Sequence, residues 1–117
     1  MSDIPEGIQE ITDGTIDDFI NNEYDLPVFI DLWAEWCMPC KRIAPVIKQL
    51  EEEYRGQMLF AKLDVDNNTE TASKYQITSI PRFIIFYNGQ VRDSFVGALA
   101  KEKFKQKIDQ VLEEIEE

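Results

Sequence analysis

The sequence contains no histidine, and only two of its 117 residues are cysteine. Without an imidazole to activate a thiol, no Cys–His hydrolase mechanism is available. The same shortages speak against a metal site within one chain: zinc takes about four ligands, mostly Cys and His, and here only carboxylates remain to complete the set. A site shared between two chains is the residual metal reading. A disulfide framework is excluded as well. Frameworks use several widely spaced cysteines in chains that cannot otherwise bury a core, whereas this pair is adjacent and 44% of the chain is hydrophobic.

Positive charge is also scarce. Twelve Lys and Arg against 23 Asp and Glu leave a net charge of -11, which repels a phosphate backbone, speaks against nucleic-acid binding and favours solubility. Long apolar runs are missing: the most apolar stretch, residues 27–34, is interrupted by Asp31 and is far too short to span a bilayer. Met1-Ser2-Asp3-Ile4-Pro5-Glu6 has neither the basic start nor the apolar run of a secretory signal. There is no repeat, Ser/Gly linker or low-complexity tract. The expectation is one domain over residues 1–117, with about 1–7 a short lead that has room to be flexible, acting as a monomer in the cytoplasm. Thiols are kept reduced there, and a close Cys pair reads as redox or metal chemistry.

What is present alternates between strand and helix signals. Residues 8–11 predict an edge strand, and 15–20 a short helix with Thr15 as N-cap and acidic side chains in the first turn, where the helix dipole favours them. Residues 28–34 are nearly continuous in strand formers, as a strand covered on both faces requires. Over 41–54, Ile43, Val46, Ile47, Leu50 and Tyr54 recur at helical spacing, with Gly56 placed to cap the end and Pro45 expected to kink the helix without stopping it. Leu59, Ala61, Leu63 and Val65 alternate with Phe60, Lys62 and Asp64 at the period of a strand, which completes a right-handed βαβ unit. Asn67, with Glu70 three residues on, predicts the cap of a helix running to about Tyr75. Asn88-Gly89 between two apolar runs predicts a hairpin, because that dipeptide supplies both positive φ angles of a type I′ turn. Phe104, Ile108, Val111, Leu112 and Ile115 mark a closing helix. Its lysines crowd the start and its glutamates the end, against the dipole, so its last turn is expected to fray.

Cys37-Met38-Pro39-Cys40 falls where the central strand hands over to the kinked helix. At a helix start this spacing puts both side chains on one face, with Cβ atoms roughly 5 to 6 Å apart. A rotamer adjustment then brings them to the roughly 3.5 to 4.5 Å of a disulfide. Unpaired N–H groups and the positive end of the dipole stabilise a thiolate at Cys37, and thiolate is the nucleophile. Cys40, one turn in, is the natural resolving thiol. Pro39 fixes the turn and lacks only an N–H that would be unpaired there. Packing or metal binding is the plainer alternative, but Cys-x-x-Cys between strand and helix of a βαβ unit favours redox chemistry. That chemistry needs the two sulfurs together, accessible and free of a bound ion.

The segment Asp31-Leu32-Trp33-Ala34-Glu35-Trp36-Cys37-Met38-Pro39-Cys40-Lys41 closely resembles the active-site stretch of the thioredoxin family. Three further segments match in order and spacing: Ala61-Lys62-Leu63-Asp64-Val65-Asp66, Ile77-Thr78-Ser79-Ile80-Pro81, and Asn88-Gly89 leading to Val96-Gly97-Ala98. The likeness runs from about Thr15 to the closing helix. It implies an α/β thioredoxin fold, a five-stranded mixed sheet flanked by four helices. It also implies a protein disulfide reductase with no bound cofactor beyond the Cys37–Cys40 redox pair, acting on disulfide-bearing proteins. The enzyme that recharges it would be a thioredoxin reductase, either a flavin enzyme using NADPH or one fed by ferredoxin.

Asp31 is the one charged residue of its strand, and if it faces the core its pKa should rise and make it a proton acceptor for Cys40, the use the family makes of the matching residue. Lys62, on the adjacent strand, is expected either beside it, tuning its pKa, or in solvent. The resemblance makes Pro81 a cis-proline facing the cysteines, with the Ile80 backbone free to bond an extended substrate. It makes Trp36, Ile80 and Ala98 an apolar docking rim, and Trp33 is assigned to packing beneath the site. Two positions depart from the family pattern. Met38 replaces the usual glycine and enlarges the rim; Arg82 replaces the usual threonine and, if aimed at the thiols, would stabilise the Cys37 thiolate. Both bear on reduction potential. Two other readings stay open: a glutaredoxin-like or oxidase/isomerase-like enzyme at a less reducing potential, and a non-catalytic module that only holds a partner.

Overall fold

A strand buried on both faces needs neighbours on both edges, and residues 28–34 have them. The computed structural model describes residues 3–116; Met1 and Ser2 of the expected lead, and Glu117 of the closing acidic run, lie outside them. The elements are β1 (Ile8–Glu10), α1 (Ile16–Ile20), β2 (Val28–Trp33), α2 (Met38–Glu53), β3 (Leu59–Asp64), α3 (Thr69–Lys74), β4 (Arg82–Tyr87), β5 (Gln90–Val96) and α4 (Lys101–Glu116). The strands lie in the order β1-β3-β2-β4-β5. β1 and β2 run parallel to β3, β4 antiparallel to β2, and β5 antiparallel to β4, which makes the expected mixed sheet.

The period-two alternation of strand side chains sorts the core into two layers. Phe29, Phe60, Phe83, Ile85 and Phe95 pack on one face against Ile43, Ile47 and Leu50 of α2 and Phe104, Ile108 and Val111 of α4. Val28, Ile30, Leu32, Leu63, Ile84 and Phe86 pack on the other with Ile16 and Ile20 of α1. Asp31 follows Phe29 by two residues and therefore shares the α2 face. The hairpin forms as expected, with Tyr87 opposite Gln90 and positive φ at Asn88 and Gly89 (51° and 77°). Gly89 is required twice over, since its N–H donates to Ile20 O and a Cβ there would overlap Asn21 Oδ1.

α2 starts at Met38 with Cys37 as its N-cap, the helix start expected at the Cys pair. Three local expectations, the caps of α1 and α3 and the end of α4, are corrected. α3 is capped at Asn68, not Asn67, and neither side chain bonds its N–H groups. Asp13 does so instead, accepting from Glu70 N, Thr71 N and Thr71 Oγ1, while Asn68 Oδ1 accepts from Asp13 N. Thr15 holds the cap position of α1, but its hydroxyl accepts from Thr12 N rather than from its own helix. α4 is helical to Glu116 rather than frayed. Its charges oppose the dipole but find partners elsewhere: Lys101 and Lys105 pair with Glu53, and Glu114 with Arg92. Residues 3–7 of the lead are docked: Ile4 packs on the core, Asp3 O accepts from Tyr24 OH and Gly7 N donates to Glu51.

Candidate active site

β2 ends at Trp33, and the chain turns through Cys37 N–H···O=C Ala34 before entering α2. Met38 and Pro39 fill the first two helical positions and Cys40 the third. Cys40 N therefore donates to Cys37 Sγ at 3.2 Å, one helix-start N–H aimed at the first sulfur. The two Cα atoms are 5.3 Å apart and the sulfurs are bonded as a disulfide. Both residues are enclosed, at 2% and 3% exposure, more tightly than the sequence-based requirement of accessible sulfurs allows. The physical reason is that the closed pair covers itself and packs on Ala34, Trp33, Val65 and Ile80. Trp36 and Met38, on either side of Cys37 in the chain, are by contrast 67% and 57% exposed. Among the described residues no group of three or more His, Cys, Asp or Glu is placed to hold a metal ion.

Behind Cys40 lies a cavity of about 120 Å³ lined by Asp31, Trp33, Cys40, Lys41, Ala44 and Lys62. Asp31 is 7% exposed and its Oδ1 has no hydrogen-bond partner. Burial pushes its pKa up to about 7, and the Lys62 charge pulls the other way without prevailing. Lys62 is directly opposite Asp31 in the β2–β3 register. Its Nζ sits 5.2 Å from the centre of the Trp33 ring. Trp33 is half-buried beneath the site, with its Nε1 unpartnered.

The peptide bond between Ile80 and Pro81 is cis, and Pro81 O accepts from Gly97 N at 2.9 Å, which brings the loop carrying exposed Ala98 beside it. A groove of about 490 Å³ runs between Trp36 and Ile80 and is lined further by Val65, Ala72, Ile77, Thr78 and Ser79. Met38 and Ala98 do not line that groove. Arg82 stands apart from the sulfurs: its Nε donates to Ser94 Oγ on β5, and it projects from the face of Ile84 and Phe86, opposite to Asp31. Pro45 lies inside α2, which continues past it for two turns. Sequence alone does not single out Asp66, whose Oδ2 accepts from Trp36 Nε1 at 2.9 Å and fixes the indole, nor Val65, Ala72 and Ile77. Asp66 and Val65 do lie in a segment that resembles the family, which was the available signal.

A protein-family model described as Thioredoxin matches residues 7–110. The chain belongs to the thioredoxin family. It is 42% identical over 105 residues to the thioredoxin of Staphylococcus aureus (strain Mu50), covering 90% of this chain and 98% of that one. It is 39% identical over 94 residues to Thioredoxin 1 of Chlorobaculum tepidum, 80% of this chain and 92% of that one. Against the chloroplastic thioredoxin M-type of Pisum sativum the identity is 38% over 105 residues, 90% of this chain and 60% of that longer one. Thioredoxins are thiol-disulfide oxidoreductases that need no bound cofactor, act on protein disulfides and are generally reduced by a thioredoxin reductase. With its Cys37–Cys40 pair at a helix start, this chain is a protein disulfide reductase of that kind.

Proposed function

We propose that Cys37 is the attacking thiolate, Cys40 the resolving thiol and Asp31 the proton acceptor for Cys40. In the reduced enzyme the Cys37 thiolate attacks one sulfur of a substrate disulfide, forming a mixed disulfide and releasing the other substrate sulfur as a thiolate that takes up a proton. Cys40, deprotonated towards Asp31 across their shared cavity, then attacks Cys37 Sγ. The mixed disulfide breaks, the Cys37–Cys40 bond forms, and the substrate leaves carrying two electrons more. The observation that carries the assignment is the Cys40 N–H directed at Cys37 Sγ, since a donor at a helix start favours charge on that sulfur.

Trp36, Ile80 and Ala98 form the docking rim, extended by Met38, and the backbone beside Pro81 bonds an extended substrate segment. Lys62 keeps the Asp31 pKa from rising further, and Arg82, held by Ser94, bears on substrate choice rather than on thiolate stability. The protein works as a cytoplasmic monomer in redox homeostasis and electron transport. It binds neither nucleic acid nor membrane and is recharged by a flavin- and NADPH-dependent or ferredoxin-linked reductase; the acidic surface supports solubility and disfavours nucleic acid.

Equilibration in defined dithiol/disulfide buffers tests the reductase role. The expected potential is about -270 mV, a value taken from thioredoxins in general and not obtained from this geometry. A potential tens of millivolts more positive would instead favour an oxidase or isomerase, and a pair that never cycles a non-catalytic module. Cys40→Ser should trap substrates as mixed disulfides on Cys37; adducts only on Cys40 in Cys37→Ser, with Cys37 unreactive in the intact protein, would reverse the roles.

A further inference from the structure

Met38 occupies the first helical position of α2, between the two redox cysteines, where the family pattern has glycine. It is 57% exposed, while Met58 is 2% exposed and both cysteine sulfurs are buried and already bonded. Among the described residues of the disulfide form, Met38 is therefore the one sulfur-bearing residue largely open to solvent. Thioether oxidation follows access, and the sulfoxide is a polar, chiral group in place of a flexible apolar one.

We infer that Met38 is a reversible oxidation site through which hydroperoxides weaken docking of protein substrates. The sulfur lone pair attacks one peroxide oxygen, the O–O bond breaks and the S=O bond forms. The leaving hydroxide takes the remaining proton to depart as water. Sulfur loses two electrons and the peroxide gains them. The oxygen sits on an exposed apolar side chain next to Cys37 in the chain, flanking it opposite exposed Trp36, so it hydrates a surface that a docking protein substrate must dry. The exposed side chain makes the sulfoxide accessible to methionine sulfoxide reductases, which use two electrons from a dithiol: the S=O oxygen leaves as water, the thioether is restored and the dithiol becomes a disulfide. The effect on activity rests on Met38 belonging to the docking rim; its oxidation does not.

The disulfide form of the full chain is treated with hydrogen peroxide and the oxygen is located by tandem mass spectrometry, which separates Met38 from Met1 and Met58. Oxygen is expected on Met38 well before Met58; equal rates, or an unmodified Met38, would overturn the assignment. The oxidised protein is then reduced at its disulfide and assayed with insulin and with a small aromatic disulfide. A fall of about tenfold in kcat/KM for insulin is expected, the scale of one lost apolar contact, with the small substrate unaffected. Met38→Leu, compared with itself before and after peroxide, should show no change. An equal fall for both substrates, or the same fall in Met38→Leu, would place the damage elsewhere and overturn the effect on docking while leaving the reductase assignment intact. Methionine sulfoxide reductase treatment should restore the lost rate, and failure to do so would refute reversibility.

Discussion

Asp31 on β2 and Lys62 on β3 are directly opposed in the parallel register, yet they do not form an ion pair within 4.0 Å; the ammonium lies over the Trp33 ring. Desolvation of the carboxylate outweighs the lysine charge, so the acid is raised to about 7 and changes state near neutrality.

A buried acid held neutral destabilises the fold once its unfolded counterpart ionises. Between the ordinary value of 3.8 and about 7 the native state of the oxidised protein holds a proton that the unfolded state has lost. Stability from this group therefore falls as pH rises through that window and levels off above it. The penalty reaches about 4 kcal/mol, at about 1.4 kcal/mol per pH decade. Denaturant unfolding of Asp31→Asn beside the native protein at pH 4 and pH 8 should show the difference moving in the variant's favour by up to that amount. A difference independent of pH would contradict the burial argument.

In the proposed mechanism the same titration governs resolution of the mixed disulfide. Asp31 accepts a proton only when ionised, so the single-turnover rate of substrate release should rise through pH 7. Asp31→Asn should flatten that profile and lower the plateau about a hundredfold, the low end of what a positioned general base supplies. Lys62→Met should move the midpoint to higher pH, because it removes the charge that opposes desolvation. A midpoint that stays put would mean the lysine does not act on Asp31.

Asp13 caps α3 from 57 and 58 residues away in sequence. Its bond from Thr71 Oγ1 chiefly, and those from the Thr71 and Glu70 N–H groups, hold its carboxyl below the usual range. Stabilisation from a lowered acid is complete above the ordinary value and is lost as pH falls through the lowered one. Asp13→Ala should lower the thermal midpoint near neutrality, and hydrogen exchange should rise first in Thr69–Lys74. Unchanged protection there would contradict the cap.

Phe104 is fully buried, with ring centres 4.9 Å from Phe83 and 6.2 Å from Phe29. Phe104→Ala should cost about 3–5 kcal/mol in denaturant unfolding, from lost burial plus the cavity left under α4. A cost below about 1 kcal/mol would mean that the aromatic layer collapses around the gap.

Much of this molecule is legible from local pattern. Residues 28–34 announce a central strand because all but Asp31 are apolar on both faces, Asn88-Gly89 announces its turn because few dipeptides accept two positive φ angles, and the Cys-x-x-Cys spacing announces a pair that can close. The start of α3 differs from its local pattern because a partner distant in sequence decides it. No local pattern near Asn67 reveals that Asp13 will supply the α3 cap.

Sequence by itself determined the chemistry: which two sulfurs pair, which strand is innermost, and that the Asp31 pKa would rise if enclosed, since these follow from composition and short-range spacing. Tertiary structure alone decided that Lys62 turns to an indole rather than to the carboxylate, that Arg82 is held by Ser94, that Asp66 fixes Trp36, and how little of the closed cysteine pair meets solvent. Each of those depends on the approach of groups from separate elements, and charge and burial act through distances that no linear pattern encodes.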